Sequence, residues 1–550
     1  MNLKSQLEAR RINLFSVRRV FKLFRMSAFL RVLAFIINAV AYIVNEITNL
    51  IIPRRAPIYP PIENPLLLKS VNELLTDLKG RKITSYEIVT TYIARIKEVN
   101  ARLNAVIENR YMEAIKEARH ADNLISQAKD EFQLLMLFSR YPLLGIPFTV
   151  KEACGVKGLS YSVGSVARKD EKSPENGDAV EQMRAAGAIP LLVSANPEFC
   201  LAFDGETIVY GKCLNPYDMR RSSGGSSSGE GTLNGAGAST FGLASDISGS
   251  IRLPSLFCGV FGHKPTGGLI SVKGHYPYST KEEDFPYYLQ MGPITRFAKD
   301  LPLLLQVMAG ENAKKLKLTE EIDFQKLKIY YSYSMGNFLH VPVDFEIKLA
   351  ITRAVKCFEK GGIATEELHL KEFQNAIEIC LSSLASIKGL PSIVTQSVEN
   401  KPNKLQIIQK IAQSLFGLVP YTTMPLFVEL MILVNAFIPS KESARWKEEV
   451  KQLRTKLGNL LGTNGVLILP TYHKTANFFN GCSFLNISGT IFMLLFNVLG
   501  FPATHVPMGL DRRGLPVGFQ VVAAPYMDKL CLQVAAEMEA AFGGWVQPQK

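Results

Sequence analysis

The chain has 550 residues, 47 % of them apolar and 20 % charged, with a formal net charge of +13 at neutral pH. That apolar content is ample for a large core. Eight cysteines without a C-x-x-C pair and seven histidines outside any H-E-x-x-H setting exclude a disulfide framework and the common zinc motifs, so free thiols and no metal are expected.

The positive charge is concentrated at the start. Residues 1–31 hold eight basic residues and one acidic, a net +7 that leaves +6 for the other 519, so no nucleic-acid partner is expected. Leu14, Val17, Val20, Phe21 and Phe24 gather on one side of a helix beside Arg18, Lys22 and Arg25, a pattern suited to an anionic membrane surface. Fourteen uncharged, mostly apolar residues follow, Val32 to Asn45. A cleaved signal peptide does not fit, because the basic region is too long and no small-x-small site precedes Ile52. A buried core helix is the plain alternative, since fourteen residues fall short of the roughly twenty a bilayer needs. Extending the segment from Met26 to Val44, with Arg31 snorkelling, nearly reaches that length and favours a membrane-anchoring helix. A spanning helix would put the basic end in the cytosol and the rest of the chain across the membrane, whereas an interfacial one would keep everything on the cytosolic face. Length suggests two or more domains, yet no linker appears after residue 65. The expected division is a basic anchor segment, 1–55, and one large domain, 56–550.

From residue 65 helix and strand signals alternate. Ser70 and Glu73 make a capping-box pattern ahead of Val71, Leu74, Leu75 and Leu78, and Thr84 and Glu87 repeat it before Ile88, Tyr92, Ile93 and Ile96. Ile146 to Val150 predicts a strand ending at Lys151, Asp178 and Glu181 a helix start, and Ile189 to Val193 a second strand. Further strands are predicted over Leu327 to Tyr331, Val466 to Leu469 and Val517 to Val522, with helices over 344–360 and 528–541. Such alternation argues for an α/β fold with helices on both faces of a sheet.

Ser222 to Arg252, SSGGSSSGEGTLNGAGASTFGLASDISGSIR, is rich in Gly and Ser but is no linker, because it runs into the apolar segment Ile251 to Val260. Glycines in an ordered context bring backbone close to something and expose N–H groups. A phosphate-binding loop fails for want of a lysine at the required place, and the dinucleotide fingerprint fails because Asn234 stands where a third glycine should be. Gly225, Ser227 and Gly229 satisfy G-x-S-x-G, but the polar residues 218–223 before them do not make the buried strand that a nucleophile elbow requires.

GGSSSGEG at 224–231, SDISGSIR at 245–252, Pro254, FCGVFGHKPT at 257–266 and a separate lysine in GIPFTVKEA at 145–153 closely resemble the amidase signature family. The likeness runs from about residue 65 to the C-terminus, and within the family it is greatest to the membrane-anchored fatty-acid amide hydrolases, with AFGGWVQP at 541–548 adding to it. The resemblance implies a large twisted mixed β-sheet covered by helices, with 56–550 as the catalytic domain. It also implies Lys151 as base, Ser226 as bridging serine, Ser250 as nucleophile, and the backbone N–H groups of Ile247, Ser248, Gly249 and Ser250 as the oxyanion hole. An ordinary lysine is protonated at neutral pH and surface-exposed, so a base role requires burial that favours the neutral amine. Serines stand at 228 and 248 where the family usually has glycine. Were the backbone at 248 at positive φ, a serine there would cost on the order of 1 kcal/mol and tilt the oxyanion hole. Ser222, Ser227 and Ser228 are expected as loop serines, Asp246 with Arg252 as the pair holding a turn, and Lys264 as structural.

Ile411 to Pro439 is uncharged apart from Glu429 and is broken by Pro420 and Pro425, which predicts two short helices. They are either buried core or an apolar mouth facing the bilayer, for which Phe427, Leu430 and Ile432 are the residues to test. His263, His473 and His505 are expected to be structural, and Asn486 opens an apolar stretch where glycosylation is not expected. The resemblance thus implies a membrane-associated serine hydrolase, without cofactor, cleaving lipid amides to fatty acid and amine, with a homodimer as one option. A small-polar-amide or amidotransferase-type amidase and an inactive lipid-binding relative are the alternatives.

Overall fold

A computed structural model describes residues 60–550 apart from 280, 282–284, 336–341, 435–442, 480–486 and 549–550, and before residue 60 the helical residues 36, 39, 40, 43, 44, 47, 48 and 51. Thirteen strands are described: β1 Val106–Asn109, β2 Pro147–Lys151, β3 Ile189–Ser194, β4 Glu206–Thr207, β5 Gly211–Lys212, β6 Phe241–Asp246, β7 Phe261–Lys264, β8 Gln290–Thr295, β9 Lys328–Tyr331, β10 Ala364–Glu367, β11 Gly465–Leu469, β12 Ala503–Leu510 and β13 Pro516–Ala523. Apart from the small β4–β5 ribbon they form one sheet in the order β1-β3-β2-β6-β8-β7-β12-β13-β11-β9-β10. It is mixed: β3, β2 and β6 run parallel, β6, β8, β7, β12, β13 and β11 pair antiparallel, and β11, β9 and β10 are parallel again. The α/β fold with a large mixed sheet flanked by helices is as expected.

Local signals account for most boundaries. Both capping boxes form, Ser70 with Glu73 on the helix Val71–Lys79 and Thr84 with Glu87 on Ser85–Leu103. The periodic residues behind them, Leu74, Leu78, Ile88, Tyr92 and Ile96, are fully buried. Central strands β2, β3, β6 and β13 are buried at every position, so they lack the alternation of a half-solvated strand, and their few polar side chains, Thr149, Lys151, Asp246 and Gln520 among them, are hydrogen-bonded inside. The helix predicted from Asp178 is observed as Asp178–Ala185, but Gly177 occupies the cap and Asp178 instead accepts from the Ser271 hydroxyl at 2.7 Å.

Two membrane expectations change. Most of 26–44 lies outside the described residues, and among the described residues no helix is long and apolar enough to cross a membrane, so a spanning helix finds no support. What is described there is a set of exposed apolar side chains at helical spacing: Ile36, Val40, Ile43, Val44, Ile47 and Ile51. Of the 411–439 region, residues 411–434 are described: they hold the end of one short helix, Lys404–Ser414, and the whole of a second, Thr423–Val434, with Pro420 between them and Pro425 in the first turn of the second, where no helical hydrogen bond is lost. Of the three residues expected to face outward, Ile432 is exposed, at 36 %. Phe427 and Leu430 are half-buried, whereas Leu405, Leu415, Phe416 and Leu418 are 68–79 % exposed at the far end and connection of the hairpin.

Candidate active site

The site lies where the parallel strands β3, β2 and β6 end, the edge at which α/β sheets open a crevice. Lys151 is the last residue of β2 and is wholly buried. Its Nζ donates to Ser226 Oγ at 2.7 Å and to Ser245 Oγ at 2.9 Å. Thr149, two residues back and so on the same face of the strand, donates to the buried Glu230 carboxylate, which also accepts from Ser194 Oγ at 2.6 Å. Burial raises Glu230 to about 7 despite these donors. Glu152, the next residue, accepts from Ser160 Oγ, Ser162 Oγ and N–H, and Val163 N–H.

Ser226 sits in the loop before the helix Ser228–Gly235, following a cis peptide bond from Gly225. Gly224 is at φ +77°, and a Cβ on it would come within 2.9 Å of Pro254 backbone atoms, so this loop packs directly on the helix Arg252–Cys258. Ser227 is not at an exposed elbow: its N–H donates to the Ser250 carbonyl at 3.2 Å and its hydroxyl to the Ser245 carbonyl at 3.3 Å. Ser228 is helical and donates to the Gly224 carbonyl at 2.7 Å. Both act as loop serines.

Ser250 stands in the turn between β6 and the helix Arg252–Cys258, 3 % exposed. Among the described residues its hydroxyl has no hydrogen-bond partner. Asp246 organises the turn, Oδ1 accepting from Gly249 N–H at 2.7 Å and Oδ2 from Ile251 N–H at 3.1 Å, while Arg252 donates to both oxygens at 3.1 Å. Burial works against the Asp246 charge, but Arg252 more than offsets it and the carboxyl is held down at about 2. Arg252 is itself wholly buried and also donates to Gln520 Oε1 at 2.8 Å and Asn497 Oδ1 at 2.6 Å.

The four N–H groups expected to line an oxyanion hole differ in their partners. The Gly249 N–H is already taken by Asp246, whereas among the described residues the N–H groups of Ile247, Ser248 and Ser250 have no acceptor, leaving three. Gly249 is at φ +112° with Met493 Sδ only 2.4 Å from where a Cβ would stand, so glycine is required there. Ser248 is not at positive φ, and the serine that replaces the usual glycine carries no backbone strain.

His275 was not singled out from the sequence, and it stands beside the lysine. Its Nε2 is 2.9 Å from Ser245 Oγ and its Nδ1 3.1 Å from the Pro277 carbonyl. Nothing in SVKGHYPYS marks it, because its proximity to Lys151 comes from a loop that pairs with the segment after β2. Lys264 is buried and donates to the Pro265 carbonyl at 2.9 Å, with burial first and the Arg252 charge second lowering it to about 7. His263 bridges Thr504 and Asp528, and His505 meets Thr471. Seven cysteines are free thiols; Cys482, like Asn486, lies outside the described residues.

A profile of the amidase family matches residues 87–532, most of the chain. The chain belongs to the amidase signature family. It is an amide hydrolase, and its curated relatives include fatty-acid amide hydrolase 2-A of Danio rerio, 36 % identical over 96 % of this chain and 99 % of that one. Human fatty-acid amide hydrolase 2 is 33 % identical over 89 % of this chain and 92 % of that one. Among solved structures a fatty acid amide hydrolase superposes with a TM-score of 0.69 at 21 % identity, covering 89 % of this amidase and 87 % of that chain. A peptide amidase from Stenotrophomonas maltophilia gives 0.68 at 22 %, covering 88 % and 98 %. These two likenesses are likenesses of fold.

Proposed function

We propose that this amidase hydrolyses long-chain fatty-acid amides at a membrane surface, releasing fatty acid and amine, through Ser250 as nucleophile, Ser226 as bridging hydroxyl and Lys151 as base within a catalytic domain spanning 56–550. The observation that carries the proposal is a wholly buried lysine amine 2.7 Å from the Ser226 hydroxyl, on a loop whose next residue is bonded to the Ser250 carbonyl. The base role proposed for Lys151 rests on this contact and on the enclosure of the amine away from solvent. Lys151 takes the Ser226 proton, Ser226 takes that of Ser250, and Ser250 Oγ attacks the amide carbonyl. The N–H groups of Ile247, Ser248 and Ser250 receive the developing oxyanion. The relay then returns the proton to the departing amine, which leaves the acyl group on Ser250 for water to hydrolyse. Labelling with a fluorophosphonate tests this directly: it is expected to persist in Ser227→Ala and to vanish in Ser250→Ala, and labelling that survives Ser250→Ala overturns the assignment.

The lipid-amide and membrane parts of the proposal rest on the apolar hairpin Lys404–Val434 and on the exposed residues between Ile36 and Ile51. The hairpin is tied to the site's edge, since Glu198 accepts from Thr422 N–H at 2.7 Å and Thr422 Oγ1 at 2.8 Å, and Glu429 accepts from Ile393 N–H at 3.2 Å. Leu415, Phe416 and Leu418 project from its tip into solvent, a cost that contact with lipid removes. Replacing these three with Asp is expected to weaken binding to phosphatidylcholine vesicles by roughly a hundredfold or more, from the transfer free energy of three large side chains. Turnover of short acyl amides should be unchanged. Unaltered vesicle binding would show that the hairpin does not touch the bilayer.

A further inference from the structure

We propose that His275, acting through Ser245, is a positioning residue that turns the lone pair of Lys151 toward Ser226. The inference rests on the Lys151–Ser226–Ser250 relay proposed above and adds two residues behind it.

A carbonyl oxygen can only accept. The 3.1 Å contact between His275 Nδ1 and the Pro277 carbonyl therefore puts the imidazole proton on Nδ1 and leaves Nε2 as an acceptor. Ser245 Oγ, 2.9 Å away, gives its single proton to that nitrogen. Facing Lys151 it then has lone pairs only, and accepts an N–H from Nζ at 2.9 Å. Ser245 cannot donate to the amine, so of the two hydroxyls bonded to Nζ only that of Ser226 can offer its proton to the lysine lone pair; the Cys200 thiol, which also meets Lys151 and Ser226, is a weaker donor. His275 is 5 % exposed, and burial pushes it down from the ordinary imidazole range and keeps it neutral. Its placement is not loose. Tyr276 N–H donates to the Ala153 carbonyl at 2.9 Å and Gly155 N–H to the Gly274 carbonyl at 2.9 Å, so the loop is zipped onto the residues that follow Lys151.

The other titratable groups around the amine do not direct it in this way. Glu152 and Glu230 are occupied by the hydroxyl and N–H donors described above, and the thiols of Cys154 and Cys200 are pushed up by burial and stay protonated. Any protonation of His275 would reverse the chain, since Nε2–H would donate to Ser245 and release the serine proton toward Lys151.

The test uses the full chain and oleoyl p-nitroanilide, with His275→Phe, His275→Gln, Ser245→Ala and the His275→Phe/Ser245→Ala double variant. In His275→Phe, Ser245 is released to donate to the neutral amine, stabilising it while blocking its lone pair. The expected result is kcat lower by about tenfold, KM within about twofold, and the acid limb of kcat/KM moved to lower pH. His275→Gln, whose amide oxygen takes the Ser245 proton, recovers kcat to within about threefold of wild type. Adding His275→Phe to Ser245→Ala has no further effect, because the histidine acts only through that hydroxyl. His275→Leu gives the same outcome where the phenyl ring is too large for folding. Losses that multiply in the double variant, or a lower kcat with an unmoved acid limb and no recovery in Gln, overturn the inference and leave His275 a packing residue. A wild-type protein that neither cleaves the anilide nor takes up a fluorophosphonate overturns the underlying relay instead.

Discussion

Lys151→Met is expected to leave the protein folded and to lower kcat for a fatty-acyl amide roughly ten-thousandfold. Methionine matches the lysine stem in length and removes a polar group from a wholly buried site, so the fold has no reason to suffer. Catalysis loses two proton transfers at once. Without the amine nothing takes the Ser226 proton, and nothing returns one to the amine leaving group. An activated ester separates the two contributions, because a p-nitrophenolate departs without a proton. Its hydrolysis should fall by only about a hundredfold. The measurement is kcat for an oleoyl amide and for the matching p-nitrophenyl ester in wild type and Lys151→Met. Equal losses on both substrates would mean that Lys151 does not protonate the leaving group, and a small loss on the amide would remove it from the relay.

Arg252→Met is expected to be the most damaging single change to stability. Arg252 and Asp246 are both wholly buried, and Asp246 holds the Gly249 and Ile251 N–H groups that shape the nucleophile turn. Removing one partner leaves an uncompensated charge in the interior, which costs about 3–5 kcal/mol. For a chain of 550 residues that corresponds to a Tm lower by about 3–4 °C. The same pair produces an acid dependence. Asp246 titrates near 3.8 when unfolded and at about 2 when folded, so it contributes about 2 kcal/mol that is present above about pH 4 and lost as pH falls toward 2. In Asp246→Asn this part of the pH dependence should disappear, leaving a flatter Tm profile between pH 4 and 2 than in wild type. A parallel pair of profiles would show that the carboxylate is not held by the arginine.

What was legible in the sequence was local or linear. The two capping boxes need only three-residue spacing, and a buried strand such as β3 announces itself as an apolar run because both of its faces are covered. The Gly and Ser stretch at 222–252 was readable as a linear motif, but the neighbours that demand glycine there, Pro254 at Gly224 and Met493 at Gly249, are distant along the chain and were not. Lys151 stood out by ending an apolar strand. The stretch 411–439 was legible as broken helix from its prolines, but which apolar residues of Thr423–Val434 face outward was not, because in that helix nearly every position is apolar and no polar face marks the solvent side.

By itself, then, the sequence determined the order of elements and the α/β class, and its resemblance to a family singled out Lys151, Ser226 and Ser250. The tertiary structure alone decided that Asp246 takes the Gly249 N–H, that Ser248 is unstrained, and that His275 reaches Lys151 through Ser245. The reason is distance along the chain: these arrangements join residues whose strands and loops meet only when the sheet assembles. A hydrogen bond between such residues leaves no periodicity, spacing or composition to be read beforehand.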